Sequence, residues 1–264
     1  MIFNQLIDEL KACPEIAAIA LGGSRAGHQA DQYSDYDVYV YLTEPLSAKK
    51  REVILSKYCK VMEIDNHYWE REDNCVLNND IDIDIIYRSL DNFLNDLNQV
   101  VRQYHAHNGY TTCMWHNLIH SQILIDKTGR LTEARENYQI SYPQPLKKAI
   151  IEKNMHLLTG KLPSYDKQIK KAIERHDLNS MHHRTTEFLA SYFDIIFALN
   201  EMTHPGEKKL VKICLEQCSI LPEHFEENLN TLFQSIHTPA LYAILQKIIK
   251  ALAKVLQKEN IIVS

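Results

Sequence analysis

Asp35 and Asp37 are the residues whose type and spacing point most directly to chemistry. They stand in the segment Ser34-Asp35-Tyr36-Asp37-Val38. Side chains alternate between the two faces of a β-strand, so residues two apart point the same way. Two adjacent carboxylates repel each other unless a cation lies between them. The pair therefore predicts either a divalent metal site or an exposed strand end.

The segment before this pair favours the metal site. Residues 16–21 (IAAIAL) form an apolar run with the length of a buried strand, and it ends at Gly22-Gly23-Ser24. Glycines let backbone N–H groups approach a bound anion closely, and Ser24 adds a hydroxyl donor. A strand, a glycine turn, a loop and an acidic strand together predict a phosphate site beside a Mg²⁺ site.

A second alternating segment adds two further acids. Residues 81–87 (IDIDIIY) alternate apolar and other side chains, which predicts a strand with Asp82 and Asp84 on one face. Either carboxylate could converge on the same metal site.

The segment Gly23-Ser24-Arg25-Ala26, followed by Ser34-Asp35-Tyr36-Asp37, resembles the signature of the DNA polymerase β-type nucleotidyltransferase superfamily. Among its branches the chain most resembles the small bacterial aminoglycoside and lincosamide nucleotidyltransferases. In that family a Gly-Ser pair contacts the nucleotide phosphates, two aspartates hold Mg²⁺, and a third carboxylate on a neighbouring strand completes the site. One departure is that Gly27 follows Ala26 directly, whereas many members have one residue between the alanine and the glycine.

The resemblance implies a site with two Mg²⁺ ions and ATP or another nucleoside triphosphate as co-substrate. As the third carboxylate we predict Asp84, because residues 85–88 then lead straight into the next helix as in relatives, and Asp82 is the alternative. Arg25 and Lys208 carry cationic groups suited to phosphate, although a solvated arginine or lysine is the alternative. The predicted catalytic residues and metal ligands are Asp35, Asp37 and Asp84, and the predicted nucleotide-binding residues are Gly22, Gly23, Ser24, Arg25 and Lys208.

Composition narrows the class of protein. The chain has 264 residues and a net charge of −5, which argues against nucleic acid as a partner. No apolar run reaches membrane-spanning length and no signal-peptide pattern is present, so we expect a cytoplasmic protein without a membrane partner. The six cysteines are scattered without Cys-x-x-Cys, which argues against a zinc site or a disulfide framework.

The order of the elements predicts an α+β protein with two domains. Helical spacing in residues 2–12, the strands described above and a further β-like stretch from residue 61 to 87 indicate a mixed sheet with flanking helices. The prolines in Tyr142-Pro143-Gln144-Pro145 interrupt helical structure, and the sequence after them is helical throughout. We therefore predict a nucleotidyltransferase domain over residues 1–140 and an all-helical bundle domain over residues 141–264 that binds substrate or nucleotide.

The leading hypothesis for function is a Mg²⁺-dependent nucleotidyltransferase. It would transfer a nucleoside monophosphate, AMP from ATP, to a hydroxyl of a small molecule such as an antibiotic and release pyrophosphate. A protein hydroxyl as acceptor and a nucleotide-binding sensor without turnover are the alternatives. A homodimer is left open.

Overall fold

The chain is an α+β protein, as the sequence predicts. The structure, a computed structural model, describes residues 2–26, 34–68, 70–161 and 163–261. Within them the strands are β1 (Ile16–Leu21), β2 (Tyr36–Leu42), β3 (Cys59–Asn66), β4 (Glu72–Leu77), β5 (Asp82–Ser89) and β6 (Gln122–Asp126). The helices are α1 (Ile2–Lys11), α2 (Gly23–Ala26), α3 (Ala48–Leu55), α4 (Leu90–Val101), α5 (Cys113–His120), α6 (Arg130–Tyr138), α7 (Gln144–Thr159), α8 (Tyr165–Glu174), α9 (Leu178–Leu199), α10 (Leu210–Gln217), α11 (Phe225–Ser235) and α12 (Leu241–Lys258).

One strand begins later than its sequence pattern suggests, and one helix begins after a predicted site residue. β2 begins at Tyr36, so Asp35 lies just before the strand rather than within it. α10 begins at Leu210, because Lys209 adopts a left-handed conformation (φ 59°) at its N-cap, and Lys208 therefore precedes the helix. Two helices, the single turn α2 and the longer α6, were not predicted from the sequence.

The strands form one mixed sheet in the order β3-β4-β5-β2-β1-β6. β2 and β5 run parallel to each other, and the other neighbouring pairs are antiparallel. The parallel pair lies in the middle of the sheet, and β1 and β4 flank it. This order brings the end of β1, the start of β2 and the start of β5 to one region of the sheet.

One face of this sheet carries the hydrophobic core of the first part of the chain. Alternate residues of the central strands, including Val38, Val40, Ile83 and Ile85, are fully buried there with apolar residues of α1 and α3. Because successive strand residues point to opposite faces, Asp37 and Asp84 lie on the other face. We call this second face the acidic face.

The chain divides into two compact units. One consists of Met1–Asn98 and Asn117–Ile140 and contains the sheet; the other consists of Gln99–His116 and Ser141–Ser264 and is helical. The second unit thus draws one segment from the first 140 residues, and the roles expected for the two domains stay predictions.

Local sequence explains where several helices begin. The Ser47 hydroxyl accepts a hydrogen bond from the backbone N–H of Lys50 at the start of α3, and Asp177 accepts one from Ser180 at the start of α9. α7 has Pro145 in its first turn, where a missing N–H costs nothing.

No helix in the described part of the chain is both long enough and apolar enough to span a membrane. Each of the six cysteines is a free thiol.

Candidate active site

Asp37 and Asp84 are direct neighbours across the parallel strands β2 and β5. The pairing register sets Asp37 opposite Asp84 and Tyr39 opposite Ile86. Paired residues of neighbouring strands point to the same face, and the strands of a sheet are about 4.8 Å apart. The two carboxylates therefore lie side by side on the acidic face, where their like charges favour a cation between them.

The glycine turn lies directly against this pair. The backbone N–H of Gly22 donates a 2.8 Å hydrogen bond to the carbonyl of Asp37. Gly23 has φ +60°, and a Cβ added there would collide with Oδ2 of Asp37 and lie 2.8 Å from its Cγ. A Cβ added at Gly22 would collide with Cε2 of the Tyr39 ring. A side chain at either position would have to displace the Asp37 carboxylate or the Tyr39 ring, so glycine keeps the turn close to that carboxylate.

A chain of side-chain amides orients the second carboxylate. Nδ2 of Asn74 on β4 donates a 2.8 Å hydrogen bond to Oδ1 of Asp84, and Nδ2 of Asn66 on β3 donates a 2.7 Å hydrogen bond to Oδ1 of Asn74. Asn74 is paired with Asp84 across the antiparallel strands β4 and β5, so this contact follows from the strand register. Sequence reasoning missed both asparagines, because their role depends on which strand pairs with which.

Asp35, a predicted metal ligand, and Asp82, the alternative to Asp84, are both more exposed than the central pair. Asp35 is exposed and precedes β2, and Asp82 is exposed on β5, two residues before Asp84. No three His, Cys, Asp or Glu side chains of the described residues come close enough to hold a metal ion together. The structure thus brings Asp37 and Asp84 together, whereas Asp35 as a metal ligand alongside Asp37 stays a prediction.

Arg25 is engaged with the segment that leads into β2. Its Nε donates hydrogen bonds to the backbone carbonyls of Ser34 (2.6 Å) and Asp35 (3.1 Å). Its guanidinium carbon lies 4.1 Å from the centroid of the Tyr36 ring, which stacks on Phe3. The contacts give Arg25 a structural role in fixing the backbone at Asp35, and its binding of phosphate stays a prediction.

A buried arginine supports the wall of the site beside Gly22. Arg88 of β5 donates two hydrogen bonds to the Glu70 carboxylate, from Nε (2.7 Å) and Nη2 (2.6 Å). Its guanidinium carbon lies 4.5 Å from the centroid of the Tyr39 ring. Because the Tyr39 ring packs against Gly22, this ion pair helps to hold the ring that shapes the turn.

Two of the predicted nucleotide-binding residues, Ser24 and Lys208, stay predictions. Lys208 is exposed and belongs to the helical unit. The side chain of Ser24 and residues 27–33, which include Gly27, lie outside the described part of the structure.

The pair Asp37 and Asp84 fits a magnesium ion. Mg²⁺ is commonly held by one or two carboxylates together with substrate phosphates, rather than by a complete cage of protein ligands. Two aligned carboxylates beside a glycine turn supply that donor set, and the like charges of the pair are the groups that such a cation neutralises.

Comparison with known proteins gives a partial family match and weak structural likenesses. Residues 111–210 match a family described as "Domain of unknown function (DUF4037)", which is less than half of the chain. A nucleotidyltransferase-like protein from Exiguobacterium sibiricum 255-15 is 10% identical with a TM-score of 0.43, over 97% of this chain and 73% of that protein. An aminoglycoside 6-adenyltransferase from Bacillus subtilis is 12% identical with a TM-score of 0.30, and the match covers 97% of this chain and 90% of that protein. No curated protein matches the chain. At these identities and TM-scores the likenesses do not assign an activity to the chain.

Proposed function

We propose that this protein is a Mg²⁺-dependent nucleotidyltransferase. It transfers a nucleoside monophosphate, AMP from ATP, to a hydroxyl of a small molecule and releases pyrophosphate. The observation that carries the proposal is the contact between the Gly23 turn and Asp37, with Asp84 beside Asp37 in register. This arrangement supports a phosphate site next to a divalent cation site.

The chain's own residues account for the two halves of the site. The turn at Gly22 and Gly23 keeps side chains away, so that backbone groups can approach a triphosphate. Asp37 and Asp84 hold Mg²⁺, which when bound neutralises the phosphate charge and orients the groups that react. Asn74 keeps Asp84 in one orientation through its hydrogen bond to Oδ1.

The remaining predicted site residues have supporting roles in metal and phosphate binding. Asp35 adds a carboxylate to the metal ligands, and Ser24 and Arg25 assist the turn in binding phosphate. Two Mg²⁺ ions, as in related chemistry, would need the Asp35 carboxylate besides the central pair. A cytoplasmic location fits ATP as the donor.

The test is to incubate the purified protein with Mg²⁺, ATP labelled on the α-phosphate, and a panel of hydroxylated small molecules that includes antibiotics. Pyrophosphate release by the wild type, with a loss of at least 100-fold in Asp37→Asn, supports the proposal. Asp82→Asn is the matched control, because it removes an exposed carboxylate from the same strand as Asp84. Label transferred to protein instead would indicate a protein acceptor, and nucleotide binding without any release would indicate a sensor.

A further inference from the structure

Glu72 is a buried acid on the acidic face that the proposed site has not used. It lies on β4 with 9% of its surface exposed, and it makes no hydrogen bond or ion pair with any residue in the described ranges. Its neighbour two residues earlier, Glu70, is fully paired with Arg88. Within the described ranges the carboxylate of Glu72 is therefore available to a ligand.

The strand register sets Glu72 next to the proposed metal site. Asn74 is paired with Asp84, and Glu72, two residues away on the same face, is paired with Ile86. Glu72 is thus a diagonal neighbour of Asp84, at a distance of about 7 Å between backbones. Burial raises the pKa of Glu72, and the charges of Asp84 and Glu70 raise it further.

The order of strands shows on which side of the two aspartates Glu72 lies. Across the sheet, the glycine turn follows β1, Asp37 is on β2, Asp84 is on β5, and Glu72 is on β4. The glycine turn, where the phosphates are proposed to bind, and Glu72 thus lie on opposite sides of the two aspartates. In phosphoryl transfer the attacking and leaving oxygens lie roughly in line, on opposite sides of the phosphorus. With pyrophosphate leaving on the side of the turn, the acceptor hydroxyl approaches from the side of β4.

We propose that the carboxylate of Glu72 binds the acceptor hydroxyl and takes its proton. This inference rests on the proposed nucleotidyltransferase function and assigns a residue to the acceptor side of that site. The acceptor oxygen forms a bond to the α-phosphorus, the bond from that phosphorus to the bridging oxygen of pyrophosphate breaks, and the hydroxyl proton passes to Glu72. The bridging oxygen leaves with the electron pair of the broken bond, so no oxidant or further reactant is needed.

The experiment compares the wild type with Glu72→Gln, which keeps the shape of the side chain and removes its charge. We expect kcat for pyrophosphate release to fall by about 10² to 10⁴, the usual contribution of a proton acceptor. The KM for ATP and the affinity for Mn²⁺ should stay within about 3-fold of wild type. The melting temperature should be equal or higher, because the repulsion of Glu72 by the charges of Asp84 and Glu70 is gone, and a residue with a purely structural role would lower it.

Two further variants make the result specific. Glu63→Gln removes an exposed carboxylate from β3, on the same face and paired with Asn74, and should leave kcat unchanged. Glu72→Asp keeps a carboxylate on a shorter side chain and should retain more activity than Glu72→Gln.

The outcomes distinguish the role of Glu72 from the proposed nucleotidyltransferase function. Wild-type kcat in Glu72→Gln overturns the role of Glu72 and leaves the transferase intact. A loss of Mn²⁺ affinity of 10-fold or more in that variant makes Glu72 a metal ligand, which also overturns it. Absence of pyrophosphate from the wild type with every acceptor overturns both.

Discussion

Gly23 lies against the carboxylate of Asp37, so closely that a Cβ on the glycine would fall 2.8 Å from Cγ of the aspartate. The glycine also has φ +60°, which side chains rarely adopt. The space beside Gly23 therefore disfavours any side chain at this position, which ties the turn to an acid of the proposed metal site.

Gly23→Ala is expected to disable the site. Its Cβ must displace either the Asp37 carboxylate or the turn, so we expect pyrophosphate release and Mn²⁺ binding to fall at least 10-fold. Gly129→Ala is the matched control, because Gly129 also has a positive φ (72°) but nothing lies within 4 Å of an added Cβ. Both variants should lose about 1 kcal/mol of unfolding free energy through backbone strain. Equal activity in the two variants would contradict a functional turn at Gly23.

Asp84 and Asp82 can be told apart by metal binding. Asp84 is paired with Asp37 and oriented by Asn74, whereas Asp82 is exposed and pairs with Val76. Asp84→Asn should lower Mn²⁺ affinity at least 10-fold, measured by electron paramagnetic resonance of the free ion, while Asp82→Asn should change it less than 2-fold. The reverse order would make Asp82 the ligand and would mean that the β2–β5 register does not select the metal-binding acid.

Several features of this site follow from local sequence, and others depend on tertiary pairing. The apolar run ending in Gly22-Gly23 predicts β1 with its observed bounds, since a buried strand and a glycine stop are local patterns. Alternation likewise predicts that Asp84 faces away from the core. The α+β fold predicted from the order of elements is confirmed.

The contributions of Asn74 and Glu72 could not be predicted, because each depends on the register of β4 against β5. The hydrogen bonds of Arg25 to the carbonyls of Ser34 and Asp35 join residues nine and ten positions apart, a contact that no periodicity reveals, and the binding of phosphate by Arg25 stays a prediction. Asp35 precedes β2, so the two-residue repeat of a strand does not by itself fix where it points.

Asn74→Ala should let the Asp84 carboxylate adopt other orientations while the acid itself stays in place. The variant loses the 2.8 Å hydrogen bond to Oδ1 of Asp84, and partners of this kind typically contribute about 10-fold or more to metal affinity. We expect Mn²⁺ affinity to fall about 10-fold and kcat to fall with it. Asn66→Ala removes the hydrogen bond one step further away and should have a smaller effect. Equal effects of the two variants would argue against orientation of Asp84 by Asn74.

Arg51 is expected to support the first unit through stability rather than chemistry. It is fully buried, donates hydrogen bonds to Asp73 (2.7 Å) and Asp65 (2.5 Å), and its guanidinium carbon lies 4.5 Å from the centroid of the Tyr87 ring. Arg51→Met leaves the buried Asp73 carboxylate without its cation, which should cost about 3 to 5 kcal/mol of unfolding free energy.

The control for this prediction is the neighbouring residue. Lys50 pairs with Glu15, but 40% of its side chain is exposed, so Lys50→Met should cost about 1 kcal/mol or less. Adding Asp73→Asn to Arg51→Met should restore part of the lost stability, because the unpaired charge is removed. Urea unfolding of the four proteins measures these differences. A loss in Arg51→Met no larger than that in Lys50→Met would contradict the importance of the buried pair.

Asp194 should make the stability of the helical unit depend on pH. Burial raises the pKa of its carboxyl to about 6, although hydrogen bonds from Thr111 and Asn154 favour the charged form. The folded protein therefore holds this proton between about pH 4 and pH 6, where the unfolded chain has released it. Stability from this group is complete below about pH 4 and is lost as pH rises through 6, by on the order of 2 to 3 kcal/mol.

Asp194→Asn removes this titration, so the stability of wild type relative to the variant should fall as pH rises from 4 to 7. The lost acceptor for Asn154 adds an offset that does not change with pH, and the slope is the prediction. Asp177→Asn on the same helix is the control of opposite sign, because hydrogen bonds from Ser180 lower the pKa of Asp177. Wild type relative to that variant should lose stability as pH falls. Urea unfolding at closely spaced pH values measures both slopes, and a flat difference for Asp194→Asn would mean that the Asp194 carboxyl titrates alike in the folded and unfolded chains.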